Sequence, residues 1–143
     1  MSRFRKLTEN VFVSPQLTLE DVEAAAASGI AVIVNNRPDG EDPDAPQGAD
    51  IAAAAAAAGL NYVAIPITHA GFSEPQVNAM IAALEQAEGP ILAYCRSGTR
   101  STFLWALAAA KQGEDPEAIA RAALEAGYDI SPIRDMIDML SQR

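Results

Sequence analysis

The sequence predicts an α/β fold: a small, mostly parallel sheet of roughly four or five strands flanked by helices. Two patterns carry that prediction. Gly29, Gly59 and Gly89 stand at equal intervals, each closing an Ala-rich or amphipathic stretch and opening an apolar run. The runs Ile30–Val34, Tyr62–Ile65 and Ile91–Tyr94 are apolar without alternation. Such runs fit strands buried on both faces, and glycine just past a helix marks its C-terminal cap. Length settles the domain count: 143 residues, 50% of them hydrophobic and 20% charged, fit one globular domain over 1–143 with no linker.

Each element follows from local chemistry. Val11-Phe12-Val13 reads as a short strand, expected at a sheet edge. Thr18 before Leu19-Glu20-Asp21 is a helix start, and the segment Asp50 to Ala58 repeats the pattern of Asp21 to Ala27. Ser73 followed by Glu74-Pro75-Gln76 fits a capping box, after which Val77, Met80, Ile81 and Leu84 form one helix face. A further helix is expected from Ser101 to about Gln112, with Leu104, Leu107 and Ala108 inward and Phe103 and Trp105 in the core. Asp115-Pro116 and Ser131-Pro132 each place a cap before a first-turn proline. They predict two closing helices, a C-terminal extension over about 115–143 whose last helix carries Ile133, Met136, Ile137 and Leu140 as a stripe. Right-handed crossovers would bring the carboxyl ends of the strands to one rim, where ligands of such folds bind.

Composition excludes several classes. Ten Lys+Arg against 19 Asp+Glu leave a net charge of -9, which repels nucleic acid and anionic lipid. A single Cys forbids an internal disulfide, and with a single His it argues against a Cys/His zinc site. No metal or other cofactor is expected. The longest apolar run, Ile51 to Leu60, is about half a membrane span. The basic stretch Met1 to Lys6 meets Leu7-Thr8-Glu9-Asn10 where a signal peptide would turn apolar, so the expected location is the cytoplasm.

Chemistry concentrates in Tyr94-Cys95-Arg96-Ser97-Gly98-Thr99-Arg100-Ser101, between a buried strand and a helix. A thiol at that place meets unpaired N–H groups and arginines, which favour its thiolate. Gly98 permits the positive φ that curls a short loop and aims the amides around Arg96, Ser97, Gly98 and Thr99 at one point, an anion nest. Arg100 presents paired donors to an oxyanion, and the Ser101 hydroxyl is expected to donate to the thiolate. Arg96 is expected to face solvent or rim the pocket. Arg37, at the end of the second strand, either reaches the pocket or pairs with a local carboxylate; His69 is either a rim group or a plain loop residue. The simpler alternative for Cys95 is a small buried apolar residue, but a core needs neither the two arginines nor the hydroxyls around it.

Cys95 to Ser101, taken with Asn35-Asn36-Arg37-Pro38-Asp39-Gly40, resembles the bacterial phosphatase-like domain of beta-lactamase-hydrolase-like proteins, from Leu7 to about Gln112. That resemblance implies the fold of cysteine-dependent dual-specificity phosphatases, with Cys95 as nucleophile and Arg100 as anion clamp. Members of the family also occur fused to a metallo-hydrolase that handles persulfides and are often labelled sulfurtransferases. The resemblance does not cover the C-terminal extension.

The reaction depends on loop length and on a proton donor. Cysteine phosphatases resemble one another in placing five residues between Cys and Arg, whereas rhodanese-type sulfurtransferases have a shorter loop. Here Arg96, Ser97, Gly98 and Thr99 are the four between Cys95 and Arg100. The general acid of dual-specificity phosphatases would fall in Pro66 to Glu74, which contains no Asp. His69 and Glu74 are candidates there, and Glu74 is better explained as a first-turn helix acid. The loop Asp39 to Asp50 carries Asp39, Glu41, Asp42, Asp44 and Asp50, one of which would have to act from across the cleft; otherwise it is a solvated loop. The leading expectation is therefore a rhodanese-like sulfurtransferase, passing sulfane sulfur through a Cys95 persulfide from a small-molecule or thiol persulfide donor. The alternatives are a phosphatase acting on phosphate esters through a Cys95 phosphocysteine and a non-catalytic anion- or partner-binding module. A homodimer is compatible with the acidic surface and helical tail.

Overall fold

The computed structural model describes residues 4–68 and 70–142. In chain order the elements are β1 (Arg5–Thr8), β2 (Val11–Ser14), α1 (Leu19–Ala27), β3 (Val32–Asn35), α2 (Gly48–Ala57) and β4 (Asn61–Ala64). They continue with α3 (Glu74–Gln86), β5 (Ile91–Tyr94), α4 (Thr99–Lys111), α5 (Pro116–Glu125), a 3-10 turn (Ser131–Ile133) and α6 (Arg134–Ser141). The sheet order is β1-β2-β5-β3-β4. β2, β5, β3 and β4 run parallel, and β1 pairs antiparallel with β2.

Alternation along the strands builds two cores from one sheet. Val11, Val13, Val32, Val34, Ile91 and Ala93 pack against residues of α3, α4, α5 and α6. Phe12, Ile33, Leu92 and Tyr94 point the other way, onto Val22 and Ala25 of α1 and Ile51 and Ala55 of α2. The result is three layers with the sheet in the middle. β5 lies at its centre, hydrogen-bonded to β2 on one side and β3 on the other.

Three sequence expectations need correction. The run from Tyr62 is not a strand buried on both faces: β4 lies at the edge of the sheet, with Tyr62 and Val63 half-buried and Ala64 exposed. Val11-Phe12-Val13 is not at an edge: the chain folds back through Glu9-Asn10, and Arg5–Thr8 forms the edge strand beside it. β1 buries only Leu7, its other residues being exposed, so it lacks the apolar run that marks the other strands. Nor is Gly89 a left-handed helix cap like Gly29 and Gly59, whose φ values are 93° and 83°. α3 ends on the extended residue Ala87, and Gly89 is small because a Cβ there would lie 3.1 Å from that of Ala31.

The caps follow their side chains. Thr18 and Asp21 exchange side-chain and backbone bonds of 3.0 and 2.9 Å at the start of α1, the Ser73 N–H donates to Gln76 Oε1 at 2.8 Å, and Asp115 accepts from the Ala118 N–H. Ser131 instead turns its hydroxyl back onto Asp129, at 2.6 Å, and the chain makes a 3-10 turn before α6 begins. Ile133 and Ile137 of the expected final stripe are buried, with Met136 and Leu140 packed partly against the same core. Among the described residues no helix is long and apolar enough to cross a membrane.

Leu107 is fully buried in the middle of α4 against the sheet. Leu107→Ala should destabilise the fold by about 2–5 kcal/mol in urea unfolding. Leu124→Ala on the exposed face of α5 should stay within about 0.5 kcal/mol.

Candidate functional site

β5 delivers Cys95 to the rim of the sheet, and α4 begins only four residues later at Thr99. Between them the chain reverses through Gly98, whose φ of 93° supplies the left-handed turn. The curl brings the Gly98 N–H to Cys95 Sγ at 3.1 Å. The loop is tied from several sides. Ser14 accepts from the Cys95 N–H at 3.4 Å, and the Arg96 carbonyl accepts from the Gln16 N–H at 3.2 Å. The Thr102 hydroxyl donates to the Gly98 carbonyl at 2.8 Å, and the Ser97 hydroxyl donates to Thr99 Oγ1 at 3.0 Å. Cys95 itself is fully buried.

Asn36 forms the support under this loop. It is fully buried, and its side-chain amide donates to the Ile65 carbonyl at 2.9 Å while its Oδ1 accepts from the Ser101 hydroxyl at 2.7 Å. Ser101 is thus a strut between α4 and the end of β3, whereas the sequence placed its hydroxyl on the thiol. The reason is the competing carbonyl of Asn36, a polar residue directly after an apolar strand that must be satisfied where it is buried.

The arginines converge on one carboxylate. Arg100 Nη1 and Nη2 donate to the two oxygens of Glu41 at 2.8 and 2.9 Å, and Nη1 also donates to the Ile67 carbonyl at 2.8 Å. Arg37 reaches the same carboxylate through Nε at 2.9 Å and holds Gln16 Oε1 through Nη1 at 2.8 Å. The hydrogen bond from Arg100, foremost, lowers the Glu41 carboxyl from 4.5 to about 2, against a smaller opposing effect of burial. The same hydrogen bond raises the Arg100 guanidinium above its ordinary value.

Around this pair opens a cavity of about 540 Å³. Arg37, Arg96 and Arg100 line it together with the hydroxyl residues Thr68, Ser97 and Thr99 and the acids Glu41 and Asp42. Arg96 is exposed at its rim, and Arg37 both reaches the cavity and pairs with a local carboxylate. His69 lies outside the described residues. Glu74 pairs with Lys111 at 3.3 Å as the first residue of α3. The acidic loop is more than a solvated segment. Asp39 accepts from the Gly48 N–H at 2.7 Å, Asp50 accepts from the Gln47 N–H at 3.1 Å, and Glu41 is the acid turned onto the arginines. Sequence reasoning missed Glu41 and Gln16 as partners of the arginines; the only signal was their place in loops following strands that end on this rim. Among the described residues no group of His, Cys, Asp and Glu could hold a metal ion.

The site thus holds a buried thiol that accepts one loop N–H, near a guanidinium and an open polar cavity. The model of the phosphatase-like domain of beta-lactamase hydrolase-like proteins matches residues 3–112. The chain belongs to that family. Curated relatives of that name from Agrobacterium fabrum and Xylella fastidiosa are 34% and 33% identical over 108 and 132 residues, or 76% and 90% of this chain. The chain spans only 25% and 30% of their own lengths. A crystal structure from Neisseria meningitidis, reported as a candidate phosphatase, is 36% identical with a TM-score of 0.85, covering 98% of this chain and 99% of that one. P. aeruginosa TpbA in complex with pTyr shares the fold at 18% identity and a TM-score of 0.66, over 98% of this chain and 88% of that one. The α/β, dual-specificity-phosphatase-like fold expected from the sequence is the one present.

Because the Glu41 carboxyl titrates near 2 in the folded chain and at about 4.5 when free, its pairing stabilises the fold fully above pH 4.5. That contribution is lost as pH falls toward 2. Glu41→Gln should therefore lower the Tm at pH 6, and the two Tm curves should converge between pH 4.5 and 2.

Proposed function

We propose that the protein is a cysteine-dependent phosphatase. The Cys95 thiolate attacks the phosphorus of a phosphate monoester and the ester P–O bond breaks, the oxygen leaving as a phenolate or alkoxide that takes its proton from water. A second water then cleaves the S–P bond of the phosphocysteine, releasing inorganic phosphate and the thiolate. One observation carries this reading: the sulfur and the Gly98 amide on the loop and the Arg100 guanidinium on the first turn of α4 sit beside a cavity that three arginines line. A phosphate dianion offers those donors more than one charge to neutralise, and Arg100 is built to hold two of its oxygens at once. An entering phosphate takes the place of the Glu41 carboxylate on Arg100. Family membership supports hydrolysis as well, and pTyr, the ligand of TpbA, belongs to the same chemical class.

The proton donor limits the substrates. Before a ligand enters, Arg100 holds the Glu41 carboxyl near 2 and so ionised at neutrality, and Pro66 to Glu74 offers no Asp as donor, only His69 and the first-turn acid Glu74. Leaving groups that depart without strong acid assistance, such as phenols, are therefore preferred over alkyl alcohols.

A second reading, sulfur transfer through a Cys95 persulfide, is favoured by one specific observation. Only four residues separate Cys95 from Arg100, a tight ring that suits a single sulfur atom, and a persulfide needs no general acid. The two readings separate in a side-by-side assay of aryl phosphate hydrolysis and thiosulfate-to-cyanide sulfur transfer on one preparation. Hydrolysis of the aryl phosphate, with little sulfur transfer, is the expected result; the reverse ranking overturns the phosphatase reading. Cys95→Ser should remove the activity, because a hydroxyl does not ionise near neutral pH. Arg100→Lys, which replaces a planar fork with a point charge, should cost about 10²–10³-fold in kcat. Full activity in the Cys95→Ser variant would exclude the nucleophile.

A further inference from the structure

Beyond the family-matched segment 3–112, the chain returns to the active loop through one residue. Tyr128 follows the C-terminus of α5, where its N–H donates to the Ala123 carbonyl at 2.9 Å and its ring packs partly buried against the main core. The neighbouring Ala126 carbonyl accepts from Arg5 of β1 at 3.1 Å. From this anchored position the Tyr128 hydroxyl donates to the Ser97 carbonyl at 3.0 Å. It lies so close to Gly98 that a Cβ on that residue would collide with it.

The Ser97 carbonyl and the Gly98 N–H belong to the same peptide group, and in a trans peptide they point in opposite directions. Tyr128 holds one end of that group while Cys95 Sγ receives the other at 3.1 Å. Glycine at position 98 makes this peptide easy to turn over, since positive and negative φ cost it about the same. A flip would remove the N–H from the sulfur and aim a carbonyl oxygen at it instead, which opposes a thiolate. We propose that Tyr128 is a positioning residue of the catalytic loop: its hydroxyl locks the Ser97–Gly98 peptide with its N–H toward Cys95, and so makes the C-terminal extension part of the catalytic unit. The hydroxyl also polarises the peptide it binds, which strengthens the N–H donor at the far end. Burial, foremost, raises the Tyr128 hydroxyl above its ordinary value, so it remains a donor through neutral and mildly alkaline pH.

This inference rests on Cys95 acting as a thiolate nucleophile, but its test needs no substrate. The chain has a single cysteine, so the rate of iodoacetamide alkylation against pH reads that sulfur alone. Among the described residues, the charged groups near it are Arg96 in the loop, Arg100 on α4, Arg37, Glu41 and Asp42 after β3, and Arg5 of β1 behind Tyr128. Tyr128→Phe removes none of these and keeps the ring. The variant's alkylation profile should move to higher pH, and its rate at pH 7 should fall about threefold to tenfold, the scale of one net hydrogen bond. In turnover, kcat should fall with KM little changed, because Tyr128 lies outside the cavity lining. Tyr128→Leu, which also gives up the ring, should shift the profile equally and lower the Tm as well. Wild-type alkylation and kcat in a folded Tyr128→Phe variant would overturn the proposal. A shifted profile in a chain that hydrolyses no aryl phosphate would uphold Tyr128 and sink the phosphatase reading. Strong hydrolysis with an unshifted profile would do the opposite.

Discussion

The hydrogen bond from the Gly98 amide to the Cys95 sulfur, 3.1 Å long, is the contact to which the surrounding architecture is fitted. It requires a residue with positive φ where the loop enters α4, and that turn has to be paid for by fixing a segment that would otherwise be mobile. The loop is therefore fastened on every side: to the end of β2 through Ser14 and to Gln16 just beyond it, to its own helix through Thr102, and to the C-terminal segment through Tyr128. Beneath it, Asn36 and Ser101 join the ends of β3 and α4 across a buried bond of 2.7 Å. A loop secured this way keeps the Gly98 N–H on the sulfur before any ligand arrives, which is what electrostatic preorganisation requires.

Charge is arranged on the same principle of local contrast. A chain of net charge -9 nonetheless gathers three arginines around one cavity. Left without a partner, adjacent guanidiniums would repel one another; Glu41 bridges Arg37 and Arg100 with one carboxylate and fixes both orientations. The carboxylate thus offers Arg100 two oxygens at once, as an anionic ligand would, and exchanging it for such a ligand leaves no buried positive charge uncompensated.

The sequence disclosed those parts that depend on neighbours along the chain. Apolar runs at Val32, Ile33 and Val34 or at Ile91 to Tyr94 must be interior strands, and Thr18, Ser73 and Asp115 can be read as caps from the residues beside them. The same holds for the placing of Cys95, Gly98 and Arg100, which neighbours along the chain set between the end of β5 and the first turn of α4. What stayed hidden depends on contacts between distant residues. Arg5–Thr8 exposes most of its side chains and is a strand only because β2 offers it a hydrogen-bonding edge. Ser101 looked available to the thiol until the fold placed Asn36 opposite it. Glu41 was one acid among five in its loop, and only the position of Arg100, 59 residues away in sequence, distinguishes it. Tyr128 carries no motif at all.

The sheet order β1-β2-β5-β3-β4 has a consequence for how the chain acquires its shape. β2 and β3 are made early, yet neither touches the other: each is hydrogen-bonded to β5, which is synthesised last of the five strands. Without residues 91–94, the N-terminal hairpin and the β3–β4 pair would share no strand-to-strand hydrogen bond and would keep unpaired inner edges. Closing that gap demands contacts across some eighty residues, the kind of long-range pairing that slows folding and leaves nascent edges open to aggregation. The strand that brings the Cys95 sulfur to the rim is also the wedge that completes the sheet, so the surroundings of the thiol and the joining of the two half-sheets depend on the same four residues.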